Sequence, residues 1–325
     1  MSQYNYKLEI DKSFNISKYN IITSKNNPYF LLSLGFNVYY SNNIQKFIDY
    51  KKRFKGKKKI YNIINPYQYK IDEYDDGIYN KAIIKFKKID DKILNNQDFY
   101  KLWEINKVFK ILNKSDNVLC FDEISKNICE NIGCNTKLNN FDDNIKDEFD
   151  IIINSNINKI AQFQEQEYIN TFIKIIKSLH NLKSNGSIIF KISNIFTSIN
   201  IQLIYLIINS FKTSNIYIPL TSQLYKSEKY LICSGYKENK NILKLINELN
   251  KIIDDKIKII DIGLNINDEF KNTIIKLNIE LMVQQAKLIN ILTSYIDKQN
   301  YYGEEYNIFL KDQKEKNKEW ITNYF

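Results

Sequence analysis

Leu182-Lys-Ser-Asn-Gly-Ser-Ile-Ile-Phe-Lys-Ile192 is the stretch whose reading decides the fold class. Upstream of it Ile169, Phe172, Ile173, Ile176 and Leu179 recur at the spacing of one helix face. Asn185-Gly186 then predicts the turn that ends the helix, because both residues tolerate a left-handed backbone. Ser187–Ile192 follows as a short apolar run of strand length. The same alternation continues on both sides. Before it come a helix near Asp98–Leu112, a strand Asn117–Phe121, a short helix Ile124–Ile132 and a strand Phe149–Ile153. After it come a helix Ile199–Phe211 and two strands, Ser214–Ile218 and Lys229–Cys233, whose loop of about ten residues predicts an antiparallel edge. Strand and helix in alternation predict an α/β protein, with a mostly parallel sheet covered by helices.

Without a Pro-, Gly- or Ser-rich linker, boundaries follow pattern changes. Residues 1–95 form an N-terminal α+β extension, 96–237 the α/β domain and 238–325 a mostly helical C-terminal extension. The first part carries β-type runs at Phe36–Tyr40 and Lys59–Ile64, and the densest charge run of the chain: Lys51, Lys52, Arg53, Lys55, Lys57, Lys58 and Lys59. With Tyr50 and Phe54 interleaved, the run reads either as a solvated loop or as a contact for the RNA phosphate backbone. In the last part Ile242, Leu245, Ile246, Leu249, Ile252 and Ile253 make one apolar stripe. A longer helix follows over Asp268 to about Asp297, and the aromatics of Tyr301–Phe325 are expected to pack back on the protein.

Composition narrows the chemistry. A chain of 325 residues with 44% hydrophobic and 26% charged residues can build a full core without staples. No apolar run approaches the roughly 20 residues that cross a bilayer, and the first residues lack an apolar signal core, so the expected location is intracellular, host cytoplasm or virion, without membrane contact or secretion. Cys120, Cys129, Cys134 and Cys233 fall at no zinc-like spacing and are expected as buried thiols; no metal is predicted. The lone His180 argues against Ser-His-Asp, Cys-His and His-metal chemistry, which leaves lysines and carboxylates. The net charge of +10 favours a nucleic-acid partner.

Three segments, in order, resemble the FtsJ-like RNA ribose 2′-O-methyltransferases: Phe99-Tyr-Lys-Leu-Trp-Glu-Ile105, Leu182–Ile192, and Pro219-Leu-Thr-Ser-Gln-Leu-Tyr-Lys-Ser-Glu-Lys-Tyr-Leu-Ile-Cys233. Asn65-Pro-Tyr67 and the tail from Gln313 to Trp320 resemble the versions carried by large DNA viruses. The resemblance implies a Rossmann-like methyltransferase sheet, S-adenosylmethionine as cofactor, and a Lys-Asp-Lys-Glu tetrad around the ribose. Carried across, the tetrad falls on Lys101, Lys191 and Glu228, with Lys191 as the base, Glu228 orienting it and Lys101 a second cation. A lysine can act so when a neighbouring cation and burial lower its pKa from roughly 10.4.

The pattern is broken at two points. Ser155 stands where the tetrad Asp is expected, with Asp150 aligned to the first acid of that strand motif, and the next acid is Glu165. After the first strand, Leu119-Cys-Phe-Asp-Glu-Ile-Ser125 lacks the glycines that let backbone approach the cofactor. The strands at Asn117 and Phe149 begin too close together for the usual two intervening strand-helix units, leaving Asp122 and Asp142 as the candidate cofactor-binding acids. Two functions follow from the resemblance. One is a cap-type 2′-O-methyltransferase with a divergent pocket. The other, favoured by the broken pattern, is a catalytically degenerate fold that holds RNA or a partner, as an accessory subunit of a capping, polyadenylation or transcription assembly.

Overall fold

The computed structural model describes residues 4–11, 14, 16, 19–24, 29, 65–71, 74–139, 145–155, 165–193, 195–222, 228–298 and 303–325. Their strands are β1 (Tyr4–Leu8), β2 (Ile22–Thr23), β3 (Asn117–Cys120), β4 (Asn135–Leu138), β5 (Phe149–Asn154), β6 (Leu182–Ile192), β7 (Thr213–Ile218), β8 (Lys229–Ser234) and β9 (Ile259–Asp261). Their helices are α1 (Ile78–Lys85), α2 (Asp91–Leu94), α3 (Gln97–Phe109), α4 (Glu123–Ile132), α5 (Glu165–Lys177), α6 (Ser198–Ile208), α7 (Lys240–Asp254), α8 (Asp268–Lys298) and α9 (Glu304–Tyr324). Contacts group the chain into two units. The first comprises residues 1–34, 111–218 and 229–278, and the second 35–110, 219–228 and 279–325.

The first unit holds a seven-stranded sheet in the order β1-β7-β8-β6-β5-β3-β4. β4, β3, β5 and β6 pair parallel, β8 runs antiparallel between β6 and β7, and β1 closes the far edge antiparallel to β7. The connection β3-α4-β4 steps one way across the sheet and β5-α5-β6 the other. Right-handed crossovers therefore put α4 and α5 on opposite faces. This is an α/β sheet with helices, as the alternation of apolar segments predicts, and it has the Rossmann-like methyltransferase form that the resemblance implies. Its middle strands are buried on both faces, with Val118, Leu119, Ile152, Ile188 and Phe190 fully enclosed.

Two local expectations are corrected and one element is added. Asn185-Gly186 does not end the helix before β6. α5 stops at Lys177, a 3₁₀ turn covers Ser178–Asn181, and the pair sits inside β6, where the register with β5 shifts between Phe149 and Ile151. Asn185 takes φ 64° there, and a Cβ on Gly186 would come within 2.9 Å of Asp150 O, so the bulge needs these two residues. Between β3 and β5 the gap holds one strand-helix unit and not two, as its length implies, and the added element is β4, to which α4 leads through Gly133 at φ 100°. β4 lies at the edge with alternating exposure, so its apolar signal is weak. Second, Ser214–Ile218 does not end the sheet, because Tyr4–Leu8 pairs beyond it. The runs Phe36–Tyr40 and Lys59–Ile64 lie outside the described residues.

The second unit packs around α3, which is buried on nearly every side from Phe99 to Ile105. The tail does pack back: Trp320 is wholly enclosed, and its ring meets those of Tyr100, Tyr324 and Phe325. No helix among the described residues is long and apolar enough to cross a membrane.

Candidate functional site

In the second unit α3 starts on Asn96, whose side chain accepts from Asp98 N. Asp98 and Lys101 stand one turn apart, and Lys101 Nζ donates to Asp98 Oδ1 at 2.8 Å and to Glu228 Oε2 at 2.6 Å. Lys101 is 1% exposed. Burial pulls its pKa down, but the two carboxylates outweigh that and set it above the usual lysine value. The ammonium is thus held charged, in a cluster with one cation and two carboxylates. One turn further along α3, buried Glu104 accepts from Leu220 N at 2.7 Å and from Trp320 Nε1 at 2.8 Å. Asn65 Nδ2 donates to Ser222 O at 3.1 Å, and Gln313 Nε2 to Asn65 O at 3.2 Å. The motif segments around Phe99, Pro219, Asn65 and Trp320 therefore converge on α3. Sequence reasoning overlooked Glu104 as the anchor, although it sits inside Lys101-Leu-Trp-Glu-Ile105; a carboxylate amid an apolar helix face is the signal that could have found it.

In the first unit β3 and β5 are adjacent and their connections leave in opposite directions. Their C-terminal ends form the switch point at which open α/β sheets bind ligands. Asp122 caps α4 there. Its Oδ1 accepts from Ser125 N at 2.8 Å, and its Oδ2 accepts from Ser125 Oγ at 2.8 Å and Ser155 N at 2.9 Å. The hydroxyls of Ser125 and Ser155 lie 3.3 Å apart. Phe121 N donates to Ile153 O, and Asn139 N to Cys120 O. The loops after β3, β4 and β5 are thus tied to one another, with Ser125 at 0% and Ser155 at 1% exposure. Asp122→Ala is expected to cost about 1–3 kcal/mol by removing a cap and stranding the Ser155 amide. Urea unfolding of both proteins checks this; an unchanged midpoint would mean that the tie carries no stability.

Lys191 is the penultimate residue of β6, opposite Tyr230 of β8, and is buried. The structure thus brings Lys101 and Glu228 together in the second unit and places Lys191 and Ser155 in the first. Asp150 ties β5 to its neighbours, accepting from Asn117 N at 2.9 Å and Lys183 Nζ at 2.8 Å. Glu165 opens α5 and accepts from Thr197 Oγ1 at 3.0 Å and Asn200 Nδ2 at 2.6 Å; burial pushes its carboxyl above the usual range. Asp142 and the basic run Lys51, Lys52, Arg53, Lys55, Lys57, Lys58 and Lys59 lie outside the described residues. All four cysteines are buried free thiols.

The order and direction of the strands in the sheet are those of the Rossmann-like methyltransferase fold class. No protein-family model matches the sequence. The chain is 26% identical over 238 residues to an uncharacterized protein of Acanthamoeba polyphaga mimivirus, covering 69% of this chain and 64% of that one. Over 128 residues it is 26% identical to the cap-specific mRNA (nucleoside-2′-O-)-methyltransferase 1 of Dictyostelium discoideum, covering 38% of this chain and 17% of the relative. Over 65 residues it is 35% identical to the enzyme of the same description from Xenopus laevis, covering 20% and 8%. It spans less than two thirds of the length of each of these relatives. The chain is distantly homologous to cap-specific mRNA 2′-O-methyltransferases.

Proposed function

We propose that this protein is a catalytically degenerate member of the FtsJ-like lineage that holds RNA as an accessory subunit of viral mRNA processing. The observation that carries the reading is the tie among Asp122, Ser125 and Ser155. Where a methyl donor needs glycine backbone and an open crevice, side chains here hydrogen-bond across the loops. Asp122, the buried acid at that end of β3, is committed to Ser125 and Ser155. These residues do not fit S-adenosylmethionine. RNA as the target is supported by the relatives described as cap-specific mRNA methyltransferases and by the net charge of +10; a viral setting is supported by the mimivirus relative.

An active 2′-O-methyltransferase is the second reading. It is favoured by the Lys101–Glu228 pair, two of the tetrad positions, in contact at 2.6 Å. Calorimetric titration with S-adenosylmethionine and its demethylated product separates the two. The degenerate reading expects no binding tighter than about 1 mM, a free energy weaker than roughly −4 kcal/mol. Micromolar binding, or methyl transfer to capped RNA that is lost in Lys191→Ala, would establish the enzyme instead. RNA affinity is expected to fall steeply with salt. Replacing Lys51, Lys52 and Arg53 by Ala should flatten the log–log salt slope by roughly 0.7 for each single-strand phosphate contact removed. An unchanged slope would make the run solvated surface only.

A further inference from the structure

A cavity of about 300 Å³ opens on the first unit where α5 and α7 pack together, and a shallower groove of about 470 Å³ adjoins it along α7. The cavity is lined chiefly by the last turn of α5, the 3₁₀ turn after it, and α7, with Phe121 and Asn139 reaching it from the ends of β3 and β4. Its size is at the lower end of the range for small-ligand clefts, roughly 300–1,000 Å³.

The two helices present complementary polar faces to this space. On α7 the apolar stripe Ile242, Leu245, Ile246, Leu249 and Ile253 is buried, so Lys240, Lys244, Asn247, Glu248, Lys251 and Asp254 are turned outward along the groove and cavity. Lys174 and Lys177 stand one turn apart on α5 and line the cavity from the other side. Among the described residues Lys174, Lys240, Lys244 and Lys251 make no ion pair with a carboxylate, and with Lys177 they outnumber Glu248 and Asp254, the acids lining the two spaces, five to two. His180 joins the two spaces: its Nε2 lies 3.1 Å from Asn247 Oδ1, an acceptor, so that nitrogen donates. Asn247 lines both spaces, so its amide group supplies hydrogen-bonding capacity at their junction. Asn181 is already fixed, donating to Ile145 O and Asp147 O, and so forms a rigid wall.

A bare inorganic anion would need only the lysines, and Asp254 would oppose it. A nucleoside phosphate uses every part. Its phosphate meets the lysines; its ribose hydroxyls or base amino group supply donors for Asp254; its base edge meets asparagine amides; and its flat apolar face lies against Phe121 and Ile145. We infer that the α5–α7 cleft is a nucleoside-phosphate site, occupied by one nucleotide of an RNA strand whose neighbouring phosphates follow the α7 lysines, or by a free nucleotide. The RNA form rests on the RNA-holding reading above; the free-nucleotide form does not.

The chain's single histidine makes the test direct, because its imidazole gives one set of ring resonances. The full chain is titrated with adenosine 5′-monophosphate, with an uncapped RNA decamer and with inorganic phosphate at matched ionic strength. Saturable shifts of the His180 resonances with the mononucleotide or the RNA are expected, and Lys174→Glu combined with Lys244→Glu should weaken the effect roughly tenfold or more. Both lysines are exposed, so the double variant should fold, and its unfolding midpoint checks that. RNA binding by anisotropy that leaves His180 and the double variant unaffected, with no response to the mononucleotide, would overturn this site and spare the proposed function. A response to the mononucleotide without RNA binding would keep the site and remove the RNA-holding reading. An equal response to inorganic phosphate, or none to any probe, would overturn the inference.

Discussion

Replacing Lys101 by Met should destabilise the protein by about 3–5 kcal/mol, because it leaves two carboxylates facing each other without their cation. Lys101 is almost wholly buried and bonds both Asp98 and Glu228, whose side chains are only 22% and 17% exposed, so water replaces its ammonium poorly. The substitution retains most of the side-chain volume, which separates the electrostatic loss from cavity formation. Restoring neutrality should recover much of the stability: Lys101→Met combined with Glu228→Gln is expected to be less destabilised than Lys101→Met alone. The pH dependence has a definite sign. The folded pKa of Lys101 is raised, so its contribution is fully present below the unfolded value near roughly 10.4 and is lost as pH climbs through the folded value. The difference between wild type and Lys101→Met should therefore stay level through neutral pH and narrow only in strong alkali. Denaturant unfolding across that range measures it. A Lys101→Met protein within about 1 kcal/mol of wild type would mean that the pair is solvated and contributes as a surface pair does.

Trp320→Ala should cost a further amount of the same order, about 3–5 kcal/mol. Trp320 is fully buried, its ring packs on Tyr100, Tyr324 and Phe325, and its Nε1 donates to Glu104 at 2.8 Å. Two losses are combined, and Trp320→Phe divides them. Phenylalanine keeps most of the aromatic burial but removes the donor from a buried carboxylate, which should cost about 1–3 kcal/mol by itself. Glu104 would still hold the Leu220 amide, so the loop at Pro219 should loosen without melting. Hydrogen exchange at Leu220 and Thr221 reads that loosening. If Trp320→Phe exchanges at the wild-type rate at these amides, Glu104 does not transmit the tail's position to the loop.

How much was legible depends on the kind of signal. Strands β3, β5, β6, β7 and β8 and helices α3 to α8 are visible as apolar runs and stripes, because burial on both sheet faces demands continuous apolar sequence. β4 was not visible, since an edge strand four residues long exposes half of its side chains. β1 was missed as well: Tyr4–Leu8 alternates weakly, and its partner lies more than 200 residues away in sequence. At the site, Lys101 and Glu228 were singled out through a resemblance. Their contact at 2.6 Å, and the neutralising third member Asp98, required coordinates. Asp122 shows the opposite case. As a residue after a strand it reads as a helix cap before it reads as a cofactor acid, and its bonds to Ser125 and, across the chain, to Ser155 became visible only in the fold.

From sequence alone came the α/β alternation, the basic balance and the restriction of chemistry to lysines and carboxylates, because periodicity, net charge and residue inventory are properties of the chain before it folds. Tertiary structure alone decided which strand ends meet, that Asp122 bridges two of them, and that α5 and α7 open a polar cleft around the one histidine. Those are pairings of residues far apart in the chain, set by side-chain packing and hydrogen-bond satisfaction, which local spacing does not encode.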